Sequence, residues 1–166
     1  PMKYRFSLLA MLFLLLPALA FSQVVLEDFE GGAKLTWNAV EGSFAVVDNP
    51  AGGDTLGINT GGKVGAYTKQ ADRAYSLFLT ELATPLDLSV NNRFRIMVKA
   101  PRACNFILKL EGGGKFIEET RRIAVPNQWI EYNFNFAGAK SLTTLNKLIL
   151  FFDAGTDGTT GTFLFD

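Results

Sequence analysis

Residues 129–136 read Trp129-Ile130-Glu131-Tyr132-Asn133-Phe134-Asn135-Phe136. Ile130, Tyr132, Phe134 and Phe136 alternate with Trp129, Glu131, Asn133 and Asn135, so an extended chain here carries one apolar and one polar face. The same period of two runs through Arg93–Lys99, where Phe94, Ile96 and Val98 oppose Arg93, Arg95, Met97 and Lys99. It returns in Asn105–Leu110, with Phe106, Leu108 and Leu110 on one side and Ile107 and Lys109 on the other. One apolar face per segment is the mark of antiparallel strands half-buried on a core.

Working outward, strands are expected at Val24–Glu30, Ser43–Asp48, Lys63–Thr68, Tyr75–Thr80, Phe116–Val125, Lys147–Asp153 and Thr162–Phe165. Turn chemistry separates them: Gly31-Gly32, Asn49-Pro50, Gly52-Gly53-Asp54, Gly61-Gly62, Gly112–Gly114, Pro126-Asn127 and Gly155–Gly161. Roughly ten short strands at such spacing predict an all-β fold, an antiparallel β-sandwich of jelly-roll type. Gly138–Asn146 is the only helix-like stretch. There is no internal repeat, so residues 23–166 form a single domain. Thr162–Asp166 looks like a strand cut in mid-run: either it ends the chain by pairing into the sheet, or, the preferred reading, the sequence is a fragment of a longer protein, in which further domains could follow.

The 166 residues are 48% hydrophobic and contain one cysteine and no histidine. That composition excludes a disordered chain and a disulfide scaffold. It also excludes a Ser-His-Asp or Cys-His nucleophile pair and an imidazole metal site. Lys+Arg and Asp+Glu balance at 16 each, so no basic surface points to nucleic acid. Lys3 and Arg5 precede a charge-free run from Phe6 to Ala20, and Ala18-Leu19-Ala20 gives a small-x-small cleavage pattern. Residues 1–22 therefore read as a cleaved signal peptide, too short in its apolar run to span a bilayer. The expected location is secreted or cell-surface, with the periplasm as a variant, and no membrane span remains after cleavage. Cys104, unable to pair within the chain, is expected to be a small buried apolar residue.

Several motifs fail on context. Gly57–Lys63 has phosphate-loop spacing, but Val64 follows the lysine and the next residues read as strand. Asp153–Gly158 begins like a calcium loop, yet Gly155 and Leu164 occupy two ligand positions. Glu118 and Glu119 are adjacent on a strand and point to opposite faces, so they cannot flank one glycosidic bond.

The acidic cluster Glu27-Asp28-Phe29-Glu30 is more informative. Alternation puts Asp28 and Glu30 on one side with Phe29 turned into the core. Hard carboxylate oxygens suit Ca²⁺, and the Asp48–Thr60 loop is rich in Asn, Gly and Asp that could add ligands. Val25–Gly32 with Trp37 close behind resembles the opening of secreted bacterial carbohydrate-binding-module jelly rolls of the galactose-binding-like superfamily. Asp48-Asn49-Pro50, Gly57-Ile58-Asn59 and Lys63-Val64-Gly65 resemble their next stretch, Trp129-Ile130-Glu131-Tyr132-Asn133-Phe134 a late strand, and Phe163–Asp166 the closing one. The resemblance implies a non-catalytic module with a structural Ca²⁺ between the first strand, a following loop and the final Asp. Carried over by position, it nominates Glu30 and Asp166, with Asp28 and Asn49 beside them.

Sugar binding needs aromatic platforms and polar side chains for hydroxyls. Trp37, Tyr67, Tyr75, Phe116 and Trp129 are the aromatics available, Trp129 being expected to pack rather than bind. If the strands carrying Phe94, Phe106 and Phe134 are neighbours, Arg95, Lys109 and Asn133 share one polar face. Tyr75, Arg95, Lys109 and Asn133 are thus the expected ligand-binding residues, and a polysaccharide or glycan the expected partner. A structural or adhesive surface domain without a small ligand is the alternative, and a carboxylate-dependent secreted hydrolase a third.

Overall fold

The computed structural model describes residues 24–50 and 57–166. The expected signal peptide, residues 1–22, and part of the Asp48–Thr60 loop lie outside the described residues. Ten strands follow in order: β1 (Trp37–Ala39), β2 (Ser43–Asp48), β3 (Lys63–Lys69), β4 (Phe78–Glu81), β5 (Arg93–Lys99), β6 (Cys104–Gly112), β7 (Lys115–Ile123), β8 (Trp129–Asn135), β9 (Lys147–Phe152) and β10 (Gly161–Phe165). They form two five-stranded sheets, β1-β4-β9-β6-β7 and β2-β3-β10-β5-β8. Every pairing is antiparallel. The expected sandwich is therefore present, and among the described residues no helix is long and apolar enough to cross a membrane.

The alternating faces close on each other. Phe78, Phe106, Leu108, Leu110, Leu150 and Phe152 from the first sheet meet Tyr67, Val98, Phe134, Phe163 and Phe165 from the second. Rings carry much of this core: Phe106 stacks on Phe152 at 4.8 Å and Tyr67 on Phe78 at 4.6 Å between centroids. Offset ring pairs add to the area they bury, so the aromatic pairs fix register as well as contributing burial. Gly65 is required where Phe29 and Phe165 converge, since a Cβ there would lie 2.8 and 2.7 Å from their rings. Cys104 is buried, and burial raises its thiol above the ordinary value.

The two long sides of the sandwich are closed differently. On one, β1 turns directly into β2 through Val40–Gly42, where Gly42 has φ 103° and a Cβ would strike the Thr68 carbonyl. On the other, β7 and β8 are the last strands of their sheets. Arg121 Nε donates to the Asn133 carbonyl at 2.7 Å, and Glu119 Oε2 accepts from the Asn135 amide at 3.1 Å. Arg121 and Glu119 pair with each other at 2.7 Å, and the guanidinium lies 5.0 Å over the Phe134 ring.

Three expectations are corrected. Val24–Glu30 is not a strand: Phe29 adopts φ 54°, and Glu30 forms only an isolated bridge with Gly32. The cause is Glu27, whose carboxylate gathers the amides of Lys34 and Leu35 at 3.0 Å and the Trp37 indole N–H at 3.2 Å. This folds the segment into a knot while delivering Phe29 to the core. The expected strand at Tyr75 starts only at Phe78, and the helix-like stretch reduces to a 3₁₀ turn at Ala137–Ala139.

Candidate binding face and cation pocket

The outer face of the first sheet is the unusual surface. Because Phe106, Leu108 and Leu110 point to the core, alternation sends Ile107, Lys109 and Glu111 outward. Register aligns Leu79, Ile149, Lys109 and Glu118 in one row across β4, β9, β6 and β7. Phe151, Ile107 and Thr120 form the next row on one side, and Glu81, Lys147, Glu111 and Phe116 the next on the other. At ~4.8 Å between strands, four strands present a face about 14 Å wide.

Besides the half-buried Phe151, two exposed aromatics stand on this face. Tyr75, just before β4, is 59% exposed and meets Phe151 edge-to-face at 6.2 Å. Phe116 is 60% exposed, and Lys109 Nζ lies 4.5 Å over its ring while pairing with Glu111 at 2.7 Å. Apolar rings in water beside a charged amine and carboxylates are the ingredients for holding the C–H faces and hydroxyls of a sugar. The other candidate aromatics are spent inside. Tyr67 and Trp129 are buried, and Trp37 stacks on Phe78 at 4.9 Å.

The four expected ligand residues are not brought together. Tyr75 and Lys109 share the face just described. Arg95 and Asn133 are directly paired on β5 and β8, on the outer side of the second sheet, where Arg95 also pairs with Glu131 at 3.2 Å. The chain crosses from one sheet to the other between β5 and β6, so β6 lies between β9 and β7 rather than beside β5. Ile107, Ile149 and Phe151 complete the first face and were not anticipated. Their sequence signal is that β6 and β9 carry apolar residues on both faces, more than a half-buried strand needs.

Three of the four expected metal ligands, Glu30, Asn49 and Asp166, gather at the second sheet. Glu30 Oε1, Asn59 Oδ1 and Asp166 Oδ2 lie 2.6, 3.3 and 3.5 Å from the point a Gly61 Cβ would occupy. Glu30 Oε1 accepts the Gly62 and Lys63 amides at 2.7 and 3.2 Å. Asn49 Nδ2 donates to the Gly61 carbonyl at 2.9 Å and to Asn59 Oδ1 at 3.2 Å. Its Oδ1 is buried without a hydrogen-bond partner among the described residues. Burial, then the charges of Glu30 and Asp28, push the Asp166 carboxyl up to about 6.

A carboxyl raised by burial and acidic neighbours, close to the Glu30 carboxylate and the Asn59 amide oxygen, fits a hard cation with oxygen ligands. Among the described residues no three His, Cys, Asp or Glu side chains group closely enough to hold a metal by themselves. The pocket is instead a mixture of carboxylates and amides. Asp28 stands apart from it: Lys34 pairs with it at 2.5 Å and holds its carboxyl below the ordinary value. Asn59, 3% exposed at the centre of the pocket, takes a place the sequence reading left unassigned within its loop.

No family model matches the chain, and no curated protein matches it either. Solved structures do. A family 11 carbohydrate-binding module of the cellulosomal cellulase Lic26A-Cel5E of Clostridium thermocellum aligns over 87% of this chain and 91% of its own, with a TM-score of 0.58 at 12% identity. The chain shares the β-sandwich fold of that module. A second structure of a family 11 module from Clostridium thermocellum, in complex with a β-1,3-1,4-mixed-linked tetrasaccharide, aligns over 84% of this chain and 89% of its own, with a TM-score of 0.52 at 15% identity. An exo-β-agarase gives a TM-score of 0.61 at 12% identity over 87% of this chain. The chain spans a quarter of that enzyme's length, 25%.

Proposed function

We propose that this protein is an exported, non-catalytic carbohydrate-binding module. It takes a polysaccharide chain along the outer face of the first sheet and carries a structural Ca²⁺ in the pocket of Glu30, Asn49, Asn59 and Asp166. The observation that carries the reading is the pair of exposed rings, Tyr75 and Phe116, set on a partly apolar sheet face with Lys109 between an apolar row, Phe151 and Ile107, and a mainly charged one, Lys147 and Glu111. An exposed apolar patch rimmed by polar side chains is the mark of a binding surface. The shared fold supports the class, and residues 1–22 support export. The one carboxyl pushed upward among the described carboxylates, Asp166, belongs to the second sheet, remote in topology from the exposed rings. This favours a cation-holding role for it over glycosidic chemistry.

Affinity electrophoresis through gels containing mixed-linked β-glucan or agarose tests the reading. Retarded migration is expected, lost in Tyr75→Ala and Phe116→Ala and kept in Arg95→Ala and Asn133→Ala on the opposite sheet. A folded protein that binds nothing across a broad glycan array would refute it and leave the structural surface domain standing.

A further inference from the structure

Lys69 ends β3 with its side chain turned inward and is 1% exposed. Its Nζ donates to four main-chain carbonyls: Arg73 at 2.6 Å, Thr156 at 3.0 Å, Gln70 at 3.2 Å and Thr159 at 3.3 Å. Among the described residues, no carboxylate lies within ion-pair distance of it. An ammonium has three protons and no acceptor, and burying it unsolvated is costly. The four carbonyl dipoles therefore replace its water, as rings of carbonyls replace the hydration shell of a monovalent ion.

The cage joins two loops. Gln70 and Arg73 come from the segment before β4, and Thr156 and Thr159 from the segment between β9 and β10. The same two segments are cross-bonded by the Gly155 amide to the Ala74 carbonyl and the Gly158 amide to the Ala71 carbonyl, both at 2.9 Å. Tyr75 sits where they meet. Its hydroxyl lies 3.5 Å from the position a Gly155 Cβ would take, and its ring abuts Phe151.

We propose that Lys69 is a built-in structural cation. Its ammonium clamps the 70–76 and 153–160 segments together and is thereby the positioning residue for Tyr75 at one end of the exposed face. The positioning role rests on the carbohydrate-binding reading; the clamp does not. An unbranched apolar side chain one atom shorter, methionine, fills most of the space but leaves four carbonyls unpaired, whereas a small free cation can enter the space left by alanine.

The test uses Lys69→Ala and Lys69→Met, unfolded thermally at equal ionic strength in ammonium, potassium and tetramethylammonium chloride. Lys69→Ala is expected to lose several degrees, to recover in ammonium or potassium chloride, and not to recover with the bulky tetramethylammonium ion. Lys69→Met is expected to be destabilised in all three salts. Equal midpoints for Lys69→Ala in every salt, or a Lys69→Met as stable as the unaltered chain, would overturn the clamp. If Lys69→Ala folds in no salt, the unaltered protein decides: the clamp predicts slowly exchanging Lys69 ammonium protons in NMR spectra at neutral pH, and their absence overturns it. Polysaccharide retention of Lys69→Ala should fall and return with ammonium. Unchanged retention beside a cation-dependent midpoint refutes the positioning of Tyr75 alone, and an unaltered protein retained by no glycan refutes the carbohydrate reading alone.

Discussion

Replacing Glu27 with glutamine removes one charge and changes no volume, yet it should be among the most damaging conservative substitutions in the chain. The Glu27 carboxylate accepts from Lys34 and Leu35 at 3.0 Å, from the Trp37 indole at 3.2 Å, and from Asp28 and Phe29 at 3.1 and 3.2 Å. Glutamine keeps one acceptor and turns an NH₂ group onto donors. Hydrogen bonds to a charged group contribute ~1.5–3 kcal/mol each, but these share two oxygens and the side chain is only half-buried. Losing the equivalent of one or two gives about 2–4 kcal/mol. At ~3 °C per kcal/mol, that is a fall of about 6–12 °C in the unfolding midpoint.

The pH dependence supplies the sharper criterion. Burial opposes ionisation of Glu27, but the amides of Leu35, Lys34 and Phe29 and the Trp37 indole outweigh it, leaving the carboxyl below its ordinary value of 4.5. A depressed acid contributes stability above its unfolded value and loses it as pH falls through the folded one. The gap between the native chain and Glu27→Gln, measured by urea unfolding with unchanged slope, should be full at neutral pH and shrink below about pH 4.5. A gap under ~0.5 kcal/mol at neutral pH, or one equally large at about pH 3, would refute the assignment.

Phe134→Ala removes a 1%-exposed ring that meets Phe106 at 5.6 Å and should cost about 3–5 kcal/mol by chemical denaturation. Asp153→Ala leaves Arg102 facing no carboxylate. Its Nε donates to Asp153 Oδ2 at 2.8 Å, while Nη2, 2.6 Å from the same oxygen, makes an ionic contact off the hydrogen-bonding angle. A loss of roughly 1.5–3 kcal/mol is expected in the same assay, since the Arg102 left behind is partly exposed and keeps its bond to the Thr160 carbonyl. Asp166 behaves oppositely to Glu27. Raised to about 6, its carboxyl contributes stability below its ordinary value of 3.8 that is lost as pH rises toward 6 in the absence of a cation. Calcium competes with that proton, so the calcium-induced rise in midpoint should be large at neutral pH and fade below about 6; a rise independent of pH would count against Asp166 as a ligand.

Alternation made the strands legible because it records a local fact, which side of each residue faces apolar atoms. β2 and β5 fall within their expected limits, Ser43–Asp48 and Arg93–Lys99. What alternation does not encode is which sheet a strand joins. That is why Lys109 was grouped with Arg95 and Asn133, although β6 belongs to the other sheet. The opening segment misled for another reason: Val24–Glu30 has the composition of a strand, while its conformation is set by Glu27 bonding eight residues ahead to Leu35. Lys69 was hidden in the same way. Its position at a strand end reads as a solvated charge, and the carbonyls that cage it come partly from residues 156 and 159. The cluster of Glu30, Asn49, Asn59 and Asp166 was half legible, through Glu30, Asn49 and Asp166, because their residue types already restrict what they could hold. Asn59 was lost among the similar polar residues of its loop.

The Arg121–Glu119 brace across β7 and β8 bears on how copies of this chain coexist at high density. The Asn133 carbonyl and Asn135 amide belong to the last strand of its sheet, where an incoming chain would otherwise find open bonding partners. With both groups already engaged and a guanidinium lying over Phe134, that margin offers a neighbour little to zip onto. Copies of the chain held close together can therefore stand side by side as separate bodies rather than grow into a continuous ribbon.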